Sequence, residues 1–108
     1  MLAFELRNLS ITNGNGFGGN FSGFGGGILN LGTLLTIKDS TLSGNSGSEG
    51  GGIYSQGTLT VKDSTISGNT ASNGGGILSI TASNLTTNST TILNSTISGN
   101  TASDRGGG

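Results

Sequence analysis

The chain has 108 residues, 23 of them Gly, with no His, Cys, Trp or Pro and a net charge of −1. Lack of Cys excludes a disulfide framework and thiolate metal sites, and the nine scattered charges form no basic run that would hold a phosphate backbone, so nucleic acid is not an expected partner. The longest apolar run is too short to span a bilayer, and Met1–Glu5 lacks the basic start and long apolar middle of a secretory signal.

Taken from the start, the first recognisable pattern is Phe4, Leu6 and Ile11, spaced like Leu59, Val61 and Ile66 further on. It reads as a worn first copy of a repeat. Ile28 opens a second copy, continued by Ile37 and by Leu42-Ser43-Gly44-Asn45. The clearest copy runs from Gly50-Gly51-Gly52-Ile53 to Ile66-Ser67-Gly68-Asn69. Three short strands are predicted in it: Gly52–Ser55, Thr58–Lys62 and Ser64–Ser67. In the middle one, Leu59 and Val61 alternate with polar residues at the strand period. The Gly, Thr and Asn content and the missing 3.6-residue period disfavour helix.

The next copy opens at Gly74-Gly75-Gly76-Ile77 and carries an insertion at about residues 79–89. Ile92 and Ile97-Ser98-Gly99-Asn100 then resume the pattern, and the chain breaks off inside Gly106-Gly107-Gly108. Recurrence of one phrase at a spacing of about 24 residues means one unit stacked on itself. The expected fold is all-β: a right-handed, single-stranded parallel β-helix of about four rungs with three short strands per rung. Residues 1–108 then form one solenoid segment, expected to be part of a longer coil.

Stacking predicts three interior columns: Ile28/Ile53/Ile77, Ile37/Val61/Ile92 and Leu42/Ile66/Ile97. Asn45, Asn69 and Asn100 are expected at a bend in left-handed geometry, which Asn tolerates, with their amides hydrogen-bonded along the stack. The Gly triplets are expected to form a tight corner with positive φ.

The pairing of aliphatic-x-x-Asn with Gly-Gly-x-Ile resembles the repeats of bacterial polymorphic outer-membrane proteins. Those combine a Gly-Gly-Ala-Ile type tetrapeptide with Phe-x-x-Asn. Gly51-Gly52-Ile53 and Gly75-Gly76-Ile77 match the first with Gly in place of Ala. Ile66-Ser67-Gly68-Asn69 and Ile97-Ser98-Gly99-Asn100 match the second with Ile in place of Phe. The resemblance covers the chain from about Gly25 onward. It implies a parallel β-helix in a surface-exposed or secreted bacterial passenger region, extracellular or on the outer cell surface, often adhesive, with host-surface or carbohydrate ligands as possible partners.

Chemistry is harder to find. Hydrolysis or lyase activity on this type of fold needs paired carboxylates, often with a basic group or calcium. Asp39 and Asp63 are the only acids expected to stack; each follows a Lys, and Asn94 ends the column. They read as the polar end of a strand, self-compensated in charge, and Asp104-Arg105 as a variable, solvated turn. Calcium-binding nonapeptides need an Asp after the Gly pair, which Gly18-Gly19-Asn20-Phe21 and Gly50-Gly51-Gly52-Ile53 lack. No catalytic residue, cofactor or metal is therefore expected. The one candidate binding face is the ladder Thr41/Ser43, Thr65/Ser67 and Thr96/Ser98, echoed by Ser10/Thr12. The leading expectation is a non-catalytic structural or adhesive region. The alternatives are a non-catalytic part of a carbohydrate-active β-helix enzyme and, further behind, an ice-binding surface.

Overall fold

Thirteen strands and no helix make up the residues described by the computed structural model, which are 3–16, 23–32, 34–81 and 88–108. The chain visits the same sheets in the same order again and again, laying each new strand parallel to its equivalent in the preceding repeat. One sheet consists of β1 (Ala3–Arg7), β4 (Leu34–Lys38), β7 (Thr58–Lys62) and β11 (Thr90–Leu93). A second consists of β2 (Ser10–Thr12), β5 (Thr41–Ser43), β8 (Thr65–Ser67) and β12 (Thr96–Ser98). A third is built from β3 (Ile28–Asn30), β6 (Ile53–Ser55) and β10 (Ile77–Ser79).

The register is the one the repeats predict. Leu6 pairs with Ile37, Ile37 with Val61 and Val61 with Ile92. Ile11, Leu42, Ile66 and Ile97 form the next column, and Ile28, Ile53 and Ile77 the third. Alternation then sends these residues to one side of every sheet, where Ile37, Leu42, Ile53, Leu59, Val61 and Ile66 are fully buried. Each such side chain contributes roughly 1.5–3 kcal/mol by leaving water. The core is deepest in the middle repeats, because Phe4 at one end of the stack and Ile92 at the other are 55% and 42% exposed.

Four features depart from the sequence-based expectation. A fourth ladder accompanies the three strands of each repeat: β9 (Thr70–Asn73) pairs with β13 (Thr101–Arg105), and the bridges Ser46↔Thr70 and Glu49↔Asn73 extend it. Asp104-Arg105 belongs to β13, not to a turn, and the register shift between Ala102 and Arg105 absorbs one extra residue there. Next, Leu6 and Ile37 are 31 residues apart although neighbours, so the opening repeat is also enlarged, as Asn15↔Ser46 and Phe24↔Glu49 show. The excess falls between Asn15 and Phe24, where 17–22 lie outside the described residues. The register jumps from Ser55↔Ser79 to Leu59↔Thr90 across the insertion expected at about 79–89, of which 82–87 likewise lie outside the described residues. Its neck is closed by Asn88, whose Nδ2 donates to Gln56 O (2.8 Å) and Ile80 O (2.9 Å).

The last departure concerns the bends. Asn45, Asn69 and Asn100 are not left-handed; positive φ falls on the preceding Gly44, Gly68 and Gly99. Glycine takes that conformation at no steric cost, which leaves Asn free to point inward. There it forms the expected amide ladder: Asn45 Nδ2 donates to Asn69 Oδ1 (3.0 Å) and Asn69 Nδ2 to Asn100 Oδ1 (2.9 Å). Each Oδ1 also accepts the main-chain N–H of the Asn before it, at 3.0 Å in both cases. Each Nδ2 reaches back to a main-chain oxygen, that of Ile11, Leu42 or Ile66. Left-handed non-glycine residues stand one corner earlier, at Asn8, Asp39, Asp63 and Asn94, and at the bend itself only in the opening repeat, where Asn13 takes the place of Gly44.

Candidate functional site

The sheet of β2, β5, β8 and β12 carries the candidate face. Its inward residues are Ile11, Leu42, Ile66 and Ile97, so their neighbours must face outward. Register pairing aligns Ser10, Thr41, Thr65 and Thr96 in one column and Thr12, Ser43, Ser67 and Ser98 in the other. All six predicted residues, Thr41, Ser43, Thr65, Ser67, Thr96 and Ser98, are thus brought onto one surface. Hydroxyls repeat at about 4.8 Å between strands and about 6.7 Å along each strand. Thr96 and Ser98 are exposed, and the other four are partly so. No hydrogen bond among the described residues engages these six hydroxyls, which leaves donors and acceptors turned to solvent.

The regular register of this face has a local cause at each edge. On one side the corner residue is left-handed and the next is a serine, Ser40, Ser64 or Ser95. Its hydroxyl donates to the carbonyl two residues back, as Ser64 Oγ does to Lys62 O (2.7 Å). The same oxygen accepts from the equivalent N–H of the preceding repeat: Ser40 N–H to Ser64 Oγ (3.1 Å) and Ser64 N–H to Ser95 Oγ (3.0 Å). On the other side stands the Gly-Asn bend with its amide ladder. The strands β5, β8 and β12 of the face are therefore each held between two hydrogen-bonded side-chain ladders, one serine and one asparagine.

A charged stripe runs beside this face, its Lys38-Asp39 and Lys62-Asp63 steps legible in the sequence and its Arg7 step not. Arg7, Lys38 and Lys62 pair in register on the neighbouring sheet, and they are three of the four cationic side chains in the chain. A spacing of 31 residues hides Arg7 in the sequence; the position just before the left-handed corner is the signal that finds it. Asp39 and Asp63 form the adjacent column, each at φ 50°, so Lys38 and Lys62 are each followed by an acid while Arg7 is followed by Asn8. Asn94 closes the acidic column by donating from Nδ2 to Asp63 Oδ1. Arg7 is ion-paired with Glu5 at 2.6 Å, both about half exposed, a geometry that contributes little in water.

Chemically, the two stacked carboxylates sit on a solvated corner. Among the described residues no group of three or more His, Cys, Asp or Glu side chains is placed to hold a metal ion. No helix among them is long and apolar enough to cross a membrane.

Comparison with known proteins gives a family match that coincides with these structural units. Residues 39–56 and 63–80 match the Chlamydia polymorphic membrane protein repeat. Each stretch runs from the left-handed Asp through the serine corner, the hydroxyl-bearing strand, the Gly-Asn bend and the Gly triplet to the end of β6 or β10. Left out is the strand Thr58–Lys62 between them. No curated protein matches the chain, and no solved structure does. Two stretches of the chain, 39–56 and 63–80, are thus similar to the Chlamydia polymorphic membrane protein repeat, and both contain the serine and asparagine positions that build the ladders of the fold.

Proposed function

We propose that the chain is a right-handed parallel β-helix of about four rungs, serving as a non-catalytic structural and adhesive repeat region on the surface of a bacterium or in a secreted protein. The parallel register of all the sheets supports the coil, since a parallel strand pair requires a crossover and here each crossover is one circuit of the repeat. The polymorphic membrane protein repeat supports the surface location. An extended face, not an enclosed site, is the natural means of contact for such a stack.

The observation that carries the adhesive reading is the uncharged array of Thr41, Ser43, Thr65, Ser67, Thr96 and Ser98, whose hydroxyls have no hydrogen-bond partner among the described residues. A ligand rich in hydroxyls, such as a cell-surface glycan, can exchange hydrogen bonds with several strands at once, and the weak contacts add through multivalency. Binding of the purified protein to immobilised glycans and to cultured host cells tests this. Thr65→Glu with Ser67→Lys is expected to abolish binding while leaving the melting temperature within a few degrees. Undiminished binding by a folded double variant would refute the assignment of this face.

A further inference from the structure

The opening repeat inverts a dipeptide that the later repeats share. Where they carry Gly44-Asn45, Gly68-Asn69 and Gly99-Asn100, it carries Asn13-Gly14. Asn13 therefore takes the left-handed corner, at φ 59°, and Gly14 takes the inward position of the ladder asparagines. Gly14 has to be glycine there, because a Cβ would run into the main-chain oxygen of Gly26. It also brings no side-chain amide. Among the described residues, Asn45 Oδ1 accepts from the Gly14 N–H alone (2.8 Å), whereas Asn69 Oδ1 and Asn100 Oδ1 each accept two hydrogen bonds. Asn13 itself is exposed, with its Oδ1 beside Gly44 of the next repeat. That exposure belongs to the corner, since Gly44 and Gly68 are exposed in the middle of the stack as well.

Asparagine is a chemically labile residue, most of all before glycine, where no side chain shields the next main-chain nitrogen. The chain has three such pairs, Asn13-Gly14, Asn15-Gly16 and Asn73-Gly74. The nitrogens of Gly16 and Gly74 donate to the main-chain oxygens of Ser46 and Arg105, at 2.8 Å in both cases, so freeing them means parting main-chain ladders. Asn73 Oδ1 is buried besides. The Gly14 nitrogen is guarded by a side chain, and a turn of that side chain is enough to free it.

We propose that Asn13-Gly14 is a site of spontaneous deamidation and that the Asn45 side chain gates it. Once Asn45 Oδ1 lets go, the Gly14 N–H gives its proton to hydroxide and the nitrogen attacks Asn13 Cγ. A bond forms between that nitrogen and Cγ, the Cγ–Nδ2 bond breaks, and ammonia leaves with a proton drawn from water. Water then opens the resulting succinimide at either carbonyl, giving isoaspartate or aspartate, so one water is taken up for each ammonia lost. Isoaspartate adds a carbon to the main chain at the corner. Thr12 then cannot hold its register with Ser43 while the Gly14 N–H stays on Asn45, and the opening strand of the stack is released. None of this depends on what the hydroxyl face binds.

Incubating the intact chain in mildly alkaline buffer, with peptide mapping by electron-transfer fragmentation, locates isoaspartate residue by residue. Asn13 is expected to be modified faster than Asn15 and Asn73, and faster as pH rises. Asn45→Ala is expected to raise the Asn13 rate about three- to tenfold relative to Asn15, the factor set by one hydrogen bond. Ile66→Ala, which loosens the core away from this contact, should not reproduce that preference. Asn13→Gly restores the corner of the later repeats and should remove the site with the fold retained. Should Asn45→Ala fold poorly, amide hydrogen exchange on the wild type reads the same gate, with Gly14 expected to exchange faster than Gly16 and Gly74. An Asn13 rate no higher than that of Asn73, an unchanged ratio of Asn13 to Asn15 in Asn45→Ala, or a Gly14 amide exchanging more slowly than Gly16 would each overturn the proposal.

Discussion

Replacing Asn69 by Ala tests the amide ladder where it matters most. The Asn69 side chain makes four hydrogen bonds: Oδ1 accepts from Asn45 N–H and from Asn45 Nδ2, while Nδ2 donates to Leu42 O and Asn100 Oδ1. Asn69, Asn45 and Leu42 are buried, so water cannot replace what is lost. Stranding the Asn45 N–H and the Leu42 carbonyl costs roughly 1–3 kcal/mol each, and the severed amide contacts add to this, giving about 3–6 kcal/mol. A domain of ordinary stability has only about 5–15 kcal/mol to lose. Asn100→Ala cuts the same kind of contacts at the open edge of the stack, where Asn100 is partly exposed. Water can then serve the freed groups, and about 1–2 kcal/mol is expected. Urea unfolding followed by far-ultraviolet circular dichroism measures both, provided the slopes agree. Equal losses for the two variants, or a loss below about 1 kcal/mol for Asn69→Ala, would show that the ladder is not what holds the bends.

The same logic of interior against edge applies to the core. Ile66→Ala should cost about 2–5 kcal/mol because its site is sealed on both sides, and Ile92→Ala clearly less; thermal or urea unfolding compares them. Gly51→Ala should prevent folding, since a Cβ there would run into the main-chain oxygens of Gly75 and Thr70, which belong to fixed ladders. Gly32→Ala meets nothing within 4 Å at φ 78°, so only the strain of positive φ applies, about 1 kcal/mol. At the open edge of β11, Ile92 and Leu93 are exposed together, a surface that invites pairing with another strand. Sedimentation velocity should show concentration-dependent association that Ile92→Lys suppresses; a variant that associates as strongly as the parent would contradict this.

Much of the fold is legible because aliphatic side chains are scarce in this chain, so each Ile, Leu or Val in a recurring position carries information. The columns of Ile28, Ile37 and Leu42 with their successors were readable for that reason. Serine is the opposite case: Ser40, Ser64 and Ser95 build a ladder as regular as the Asn one, yet Ser is too frequent for the recurrence to stand out. The β9–β13 ladder was hidden because Thr70–Asn73 offers only Ala71 as an apolar mark and the extra residue near Asp104 breaks its spacing. The bend was misassigned between two adjacent residues. Both Gly and Asn accept positive φ, and only the inward hydrogen bonds of Asn69 show that glycine takes it. On the candidate face, pairing of the six hydroxyl residues followed directly from strand alternation. The Arg7 step of the charged stripe did not, since Arg7 lies 31 residues from Lys38 and meets it only after stacking.

Cross-strand contacts in solution test the parallel, in-register stack most directly. In nuclear Overhauser spectra, backbone contacts are expected to link Val61 with Ile37 on one side and Ile92 on the other, and Ile53 with Ile28 and Ile77. These pairs are 24 to 31 residues apart and share no other route to proximity. Strong Hα–Hα contacts in an antiparallel pattern, or no contacts beyond sequential ones, would contradict the stack and everything placed upon it.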